Sequence, residues 1–186
     1  MNMATSANIN SGSYNLFTGY DNYPYECVKL LMATDEMIWK LLKYNSADAW
    51  NKANLTYAEK ASLIYAGQDN TTDFRVFMEQ GQPDVNTLEN CQIRISNYSI
   101  YPENRTISTV SIMVEVYSHF KTNHLSNYKT RNDMVMQRLL STFNGSKIEN
   151  LGKLYFDRLG SESNRQEGGG QLPYKGKWAV LSTKAG

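Results

Sequence analysis

Apolar and polar residues alternate from Thr106 to Phe120, with Val110, Ile112, Val114 and Val116 on one side and Ser111, Met113, Glu115 and Tyr117 on the other. Successive side chains of a strand point to opposite faces, so this alternation predicts a long strand buried on one face. After a polar turn through Thr122, Asn123 and Ser126 the period changes: Tyr128, Val135, Met136, Leu139, Leu140 and Phe143 recur at three-, four- and seven-residue spacings. Those spacings predict an amphipathic helix, and Asn144-Gly145 supplies residues that tolerate the left-handed conformation at a helix C-terminus. The rest of the chain is expected to pack on this strand and helix.

Upstream, a first helix is predicted to begin near Asn22, with Pro24 in its opening turn and Glu26 at the end that favours negative charge. Its stripe of Val28, Leu31, Ile38, Leu41 and Leu42 fades at Asn45-Ser46. Thr56-Tyr57-Ala58-Glu59 is a capping box for a shorter helix, with Tyr57, Ala61 and Ile64 as its apolar stripe and Gly67 as its stop. Alternation returns with Phe74, Val76 and Met78 set against Asp73, Arg75 and Glu79. A turn at Gly81, Pro83 and Asp84 leads to a second strand with Cys91, Ile93 and Ile95 inward, and Pro102-Glu103-Asn104-Arg105 turns the chain back into the long strand. The three strands are predicted to form an antiparallel meander.

Downstream, Leu151 to Asp157 alternates weakly, and residues 159–172, with Gly168 to Gly170, read as a mobile loop. A last strand carries Tyr174, Trp178 and Val180 on one face and Lys175, Lys177 and Leu181 on the other. The order predicts an α+β fold: an antiparallel sheet of about five strands with helices packed on one face, in a single domain over residues 21–186.

Residues 1–20 are rich in Asn, Ser, Thr and Gly and cannot fold alone. They read either as a disordered terminus or as an extended arm whose Tyr14, Leu16 and Phe17 dock on a neighbouring subunit, since a plain tail has little reason to carry three large apolar groups so close together. A length of 186 residues at 41% hydrophobic suffices for one core. The net charge of +1, from 19 basic and 18 acidic residues, excludes a field that would draw the whole molecule to nucleic acid or an anionic membrane. Cys27 and Cys91 are too few for a disulfide scaffold and read as buried thiols. The first twenty residues carry no charge and no apolar run long enough for a signal peptide or membrane helix, so a reducing cytoplasm and no membrane association are expected.

His119 and His124, the only histidines, span the strand-to-helix turn without a Cys or His partner at ligand spacing, and no Gly-x-Ser-x-Gly elbow exists. No catalytic residue, metal or cofactor is therefore expected; a competing enzyme reading would make one of the histidines the acid-base in a pocket. Gly168 to Gly170 lead into Gln171-Leu172-Pro173 and a strand, not into a helix N-terminus that would bind phosphate. Tyr174-Lys175-Gly176-Lys177-Trp178 mixes basic and aromatic residues as single-strand binders do, which supports an alternative reading as a nucleic-acid-binding protein. The plainer account is a final strand with aromatics inward and lysines outward, the lysines discouraging edge pairing.

The Pro102-Glu103-Asn104-Arg105 turn, the strand ending Glu115-Val116-Tyr117-Ser118-His119, Arg131 and its helix through Leu140, Asn144-Gly145, and Gly152-Lys153-Leu154-Tyr155-Phe156 carry a resemblance across residues 73–186. Together they resemble the tail-terminator and head-tail connector proteins of tailed bacteriophages. The helix pair ahead of the first strand and the polar N-terminal segment resemble additions in neck ring proteins of larger assemblies, including those of crAss-like phages. The resemblance implies a tail-terminator-like fold and a mechanical function. The subunit would be made in the host cytoplasm and built into the virion neck as a homomeric ring that joins portal to tail. Its partners would be copies of itself, other neck, portal or tail proteins, and genomic DNA passing through the channel without sequence-specific binding. A ring requires heterologous contacts, which arms and loops supply by ordering on assembly. The candidates are Tyr14, Leu16 and Phe17 on the arm and Lys175, Lys177 and Trp178 on the last strand, with the Ser161 to Gly170 loop facing the channel or a neighbouring ring.

Overall fold

The computed structural model describes residues 20–68, 72–80, 89–103, 108–149, 151–162 and 174–185. In chain order the elements are α1 (Tyr23–Thr34), α2 (Glu36–Lys43), α3 (Tyr57–Ser62), β1 (Val76–Phe77), β2 (Cys91–Pro102), β3 (Ser108–His119), α4 (Arg131–Phe143), β4 (Lys147–Ile148), β5 (Gly152–Lys153), β6 (Tyr155–Glu162) and β7 (Tyr174–Ala185). The main sheet runs β1-β2-β3-β7-β6, with β4 and β5 as a separate small pair. Antiparallel pairing joins β2 to β3, β3 to β7 and β7 to β6. The fold is therefore the expected α+β arrangement of five mostly antiparallel strands with helices.

β3 lies at the centre of this sheet because its even positions are unbroken β-branched aliphatics. Val110, Ile112, Val114 and Val116 are fully buried, and beside them Cys91, Ile93 and Ile95 of β2 and Ala179 and Leu181 of β7 complete one apolar face. Against it pack Cys27, Val28 and Leu31 of α1, Ile38, Leu41 and Leu42 of α2, and Val135, Leu139 and Phe143 of α4. Burying each such aliphatic side chain contributes about 1.5–3 kcal/mol, more than one helix cap, at about 1 kcal/mol. Packing, not local propensity, fixes the layer.

Several elements depart from the sequence reading. The first helix is broken at Asp35, which ends α1 with its own N–H on Leu31 O (3.2 Å) and opens α2 by accepting Ile38 N–H (2.9 Å). Arg138 of α4 binds the other Asp35 carboxylate oxygen at 3.2 Å, so the break is tied to the organising helix. The Thr56–Glu59 capping box is present, but α3 ends at Ser62, five residues before Gly67, and Tyr57 is exposed. Tyr128 is not in α4; it sits in the preceding turn at φ 64° and is fully exposed.

The three-strand meander is corrected as well, because β1 pairs with β2 in parallel, Val76 opposite Ile93. A parallel partner requires a crossover of about a dozen residues, and residues 78–90 provide that length. The far side of β1 is occupied by the end of the α3 segment, where Tyr65 N–H donates to Val76 O at 2.9 Å. Strand β6 continues through Glu162, so residues 159–162 belong to the sheet and not to the expected loop. The remaining loop residues, the Gly81 to Asp84 turn and Asn104-Arg105 lie outside the described residues.

Arg131, at the start of α4, is completely buried. Its Nε donates to Thr122 O (2.7 Å), Nη1 to Leu41 O (2.5 Å) and Tyr44 O (2.7 Å), and Nη2 to Ser46 O (2.9 Å). Leu41 and Tyr44 mark the C-terminal end of α2, whose unpaired carbonyls carry partial negative charge. Truncating such a group strands several buried acceptors. Arg131→Met is expected to cost about 3–5 kcal/mol, since each buried acceptor left unsatisfied costs about 1–3 kcal/mol, and Arg131→Lys is expected to recover only part of the loss, because a single ammonium lacks the planar fork. Urea denaturation checks this; a Met variant as stable as the parent would remove Arg131 from its central place.

Candidate functional site

Among the described residues β6 is the open side of the sheet, paired on one flank by β7. A natural edge strand usually hides or charges its apolar residues. β6 exposes Tyr155 at 54%, Phe156 at 45% and Leu159 at 50%. The register places Tyr155 opposite Ser182 on the helix-free face, and Phe156 and Leu159 opposite Leu181 and Ala179 on the helical face. The irregularity between Phe156 and Arg158 puts both apolar residues on that same face. Apolar groups thus flank the edge above and below.

At the start of β6 lies a groove of about 630 Å³, lined by Thr109, Ser182, Thr183, Tyr155, Phe156 and the oppositely charged Lys153 and Asp157. The Lys153 ammonium lies 5.6 Å from the Tyr155 ring centroid. Ser111 and Ser182 share a hydrogen bond of 2.9 Å beneath the same end of the helix-free face. Exposed Tyr101 stands opposite Thr109. The lining carries one positive and one negative side chain, Lys153 and Asp157.

Further along the same face, Arg158 donates from Nη2 to Tyr98 Oη at 2.9 Å and lies 5.5 Å from the Tyr98 ring and 5.9 Å from the Trp178 ring. Trp178 is half-buried over Gly160, its cross-strand partner. A Cβ at Gly160 would stand 2.4 Å from Trp178 Cζ2, so the glycine makes room for the indole.

These positions divide the candidates taken from the sequence. Tyr14, Leu16 and Phe17 lie outside the described residues. Lys175 is exposed, whereas Lys177 forms an ion pair with Asp133 of α4 on the helical face, opposite to Trp178. Burial works to raise the Asp133 pKa, but hydrogen bonds from Lys177 and Thr130 outweigh it and hold the carboxyl below its ordinary value. The expectation of aromatics inward and lysines outward is therefore overturned: Ala179 and Leu181, on the parity of Lys177, form the core. Nor is β7 an edge; it lies between β3 and β6. Tyr98, Tyr101 and Arg158 were not singled out from the sequence, and Tyr155 was named only as part of the Gly152 to Phe156 stretch. Adjacent Tyr155 and Phe156, large apolar residues on both parities at the start of β6, were the available signal for that strand.

The histidines do not form a shared element. His119 is buried at the end of β3, its Nδ1 accepting Lys121 N–H at 3.3 Å and its ring 4.7 Å from that of Phe120, while His124 is exposed in the following turn. Both cysteines are free and buried; burial, with help from Glu26, pushes the Cys27 thiol up to about 12. Among the described residues no three His, Cys, Asp or Glu side chains are grouped to hold a metal ion.

Fold and surface together define an α+β protein with an open, aromatic-flanked sheet edge. The chain belongs to the YomW family, whose profile matches residues 35–168, more than two thirds of its length. YomW is a protein of a phage genome, the Bacillus phage SPBc2 region. The match starts at the Asp35 cap and stops before β7, so the sheet's fourth strand lies beyond it. No curated protein is significantly similar to the chain in sequence.

Two outcomes follow from the site geometry. Gly160→Ala is expected to displace Trp178 and cost about 1–3 kcal/mol as an overpacking change, read by indole fluorescence and thermal melting; unchanged emission and stability would contradict the contact. Burial holds His119 below the ordinary value of 6.5, with Glu89 opposing and Lys121 reinforcing the shift. As pH falls below 6.5 the unfolded chain binds a proton that the folded chain refuses, so stability declines until the folded pKa is passed. An NMR titration of the imidazole is expected to give a midpoint under 6.5; a midpoint at or above it would refute the assignment.

Proposed function

We propose that the chain is a structural virion subunit of a phage neck, forming a homo-oligomeric ring that joins the capsid portal to the tail and encloses the DNA channel. The observation that carries this reading is the β6 edge, paired on one flank only among the described residues and bearing exposed Tyr155, Phe156 and Leu159, in a chain whose family takes its name from a protein of a phage genome. Clustered exposed apolar residues mark surfaces that associate. The resemblance to tail-terminator and connector proteins supplies the ring; a ring joins one surface of each copy to a different surface of the next. Exposed Lys175 and the half-buried Trp178 remain interface candidates, together with Tyr14, Leu16 and Phe17 from the N-terminal segment.

Negative-stain microscopy and native mass spectrometry of the purified full chain, alone and with portal or tail proteins, are expected to show annular oligomers of one stoichiometry. A strictly monomeric protein that associates with none of them would overturn the proposal. Salt-sensitive binding to single-stranded DNA, weakened by Lys175→Ala, would instead favour the nucleic-acid reading.

A further inference from the structure

We propose that the Leu125 to Lys129 loop docks in the groove at the start of β6 of a neighbouring copy, Tyr128 against Tyr155 and Phe156, and Lys129 beside Asp157. This inference rests on the association between copies proposed above and names the contact that would carry it.

Tyr128 is fully exposed, and its backbone stands at φ 64°, a region that residues other than Gly, Asn and Asp rarely enter. The loop around it is closed: Tyr128 N–H donates to Leu125 O (3.2 Å), Leu125 N–H to Lys129 O (3.0 Å) and Lys129 N–H to Asn127 Oδ1 (3.2 Å). It is also fastened to the segment after α2, where Ser126 N–H donates to Ala47 O (2.9 Å) and Trp50 Nε1 to Ser126 Oγ (3.1 Å). The tyrosine is thus presented by a fixed frame. Local stability favours Asn or Gly at this backbone position, so the exposed ring serves nothing inside its own subunit. Strain that the surroundings over-determine gathers at functional positions, and a rigidly held tyrosine supplies a large contact area at little conformational cost.

The groove offers a matching surface. Tyr155 and Phe156 in its lining are both exposed, and aromatic pairs attract beyond the area they bury. A volume of about 630 Å³ is ample for one phenol ring. The charges match as well: Lys129 follows Tyr128 and Asp157 follows Phe156, both are exposed, and among the described residues neither has an ion-pair partner. Lys153, the other charge in the lining, lies 5.6 Å from the Tyr155 ring centroid.

Loop and groove stand at opposite ends of the sheet. Asn132, just after the loop, donates from Nδ2 to Lys175 O (2.7 Å) near the beginning of β7, whereas the groove includes Ser182 and Thr183 near its end. From Lys175 to Ser182 the strand runs about 23 Å, at about 3.3 Å per residue. A closed loop cannot bridge that gap within one copy. Each copy therefore gives its loop to one neighbour and its groove to another, a heterologous contact that makes a ring where the rotation closes and a filament where it does not.

In the full chain, Tyr128→Asn is expected to raise the concentration needed for association about tenfold, without lowering the melting temperature of the dilute protein. Lys129→Glu and Asp157→Lys are each expected to weaken association, and the variant carrying both to recover most of it. Native mass spectrometry over a dilution series reads each case. Rings that form undiminished with Tyr128→Asn, or a double charge variant no better than either single one, would overturn the inference while leaving the ring reading intact. Open chains of copies that Tyr128→Asn disperses would support the docking and overturn the ring. A protein monomeric at every concentration would overturn both.

Discussion

The structure depends on one buried guanidinium. Arg131 is fully enclosed, and four carbonyl oxygens from two separate stretches of chain satisfy it. Arginine suits this place because its planar donors diverge in fixed directions and its charge persists even when burial lowers its pKa. Two of the acceptors, Leu41 O and Tyr44 O, belong to the end of α2, where the helix dipole is negative, so the cation is stabilised by the backbone of another element. The arrangement joins the first turn of α4 both to α2 and to the connection leaving β3.

Once α4 is placed, the other helix contacts follow. Asp35 caps α2 and receives Arg138 of α4, Trp39 donates from Nε1 to Leu31 O across the break at 3.1 Å, and Lys60 of α3 reaches Met32 O at 3.1 Å and pairs with Glu36. Polar links of this kind orient helices whose stability comes from the apolar face beneath them. The opposite face of the sheet has a different character: Arg94 stacks 4.7 Å over Phe77, Tyr117 donates to Glu115 at 2.8 Å, and Arg158 bridges Tyr98 and Trp178.

Much of this was legible in the residues, and the failures have identifiable causes. The apolar stripes of β3 and α4 were clear, and so was the Thr56–Glu59 box because its chemistry is local, but β3 is not buried on one face alone: Ser111, Glu115 and Tyr117 on its other face are buried too, which alternation of apolar and polar types does not reveal. The break at Asp35 was hidden because Leu31 and Ile38 are seven residues apart and stay in phase with a continuous helix. The direction of β1 was hidden because alternation reports which face is buried and not which way the strand runs. At the site, Lys177 and Trp178 were grouped by adjacency, although neighbouring strand positions face opposite sides and an acidic partner on α4 claimed the lysine. β6 was cut short because its exposed apolar residues do not alternate, a consequence of the irregularity after Phe156.

The parallel pairing of β1, with the α3 segment closing its far side, gives the sheet a direction. Among the described residues one flank is closed and the other carries no further strand, so copies joined edge to edge would propagate with a polarity. Each new strand would also inherit the rotation of about 20–25° that twisted sheets impose between neighbours. The backbone itself would then set the angle between partners, turning a row of subunits into a curve of constant hand.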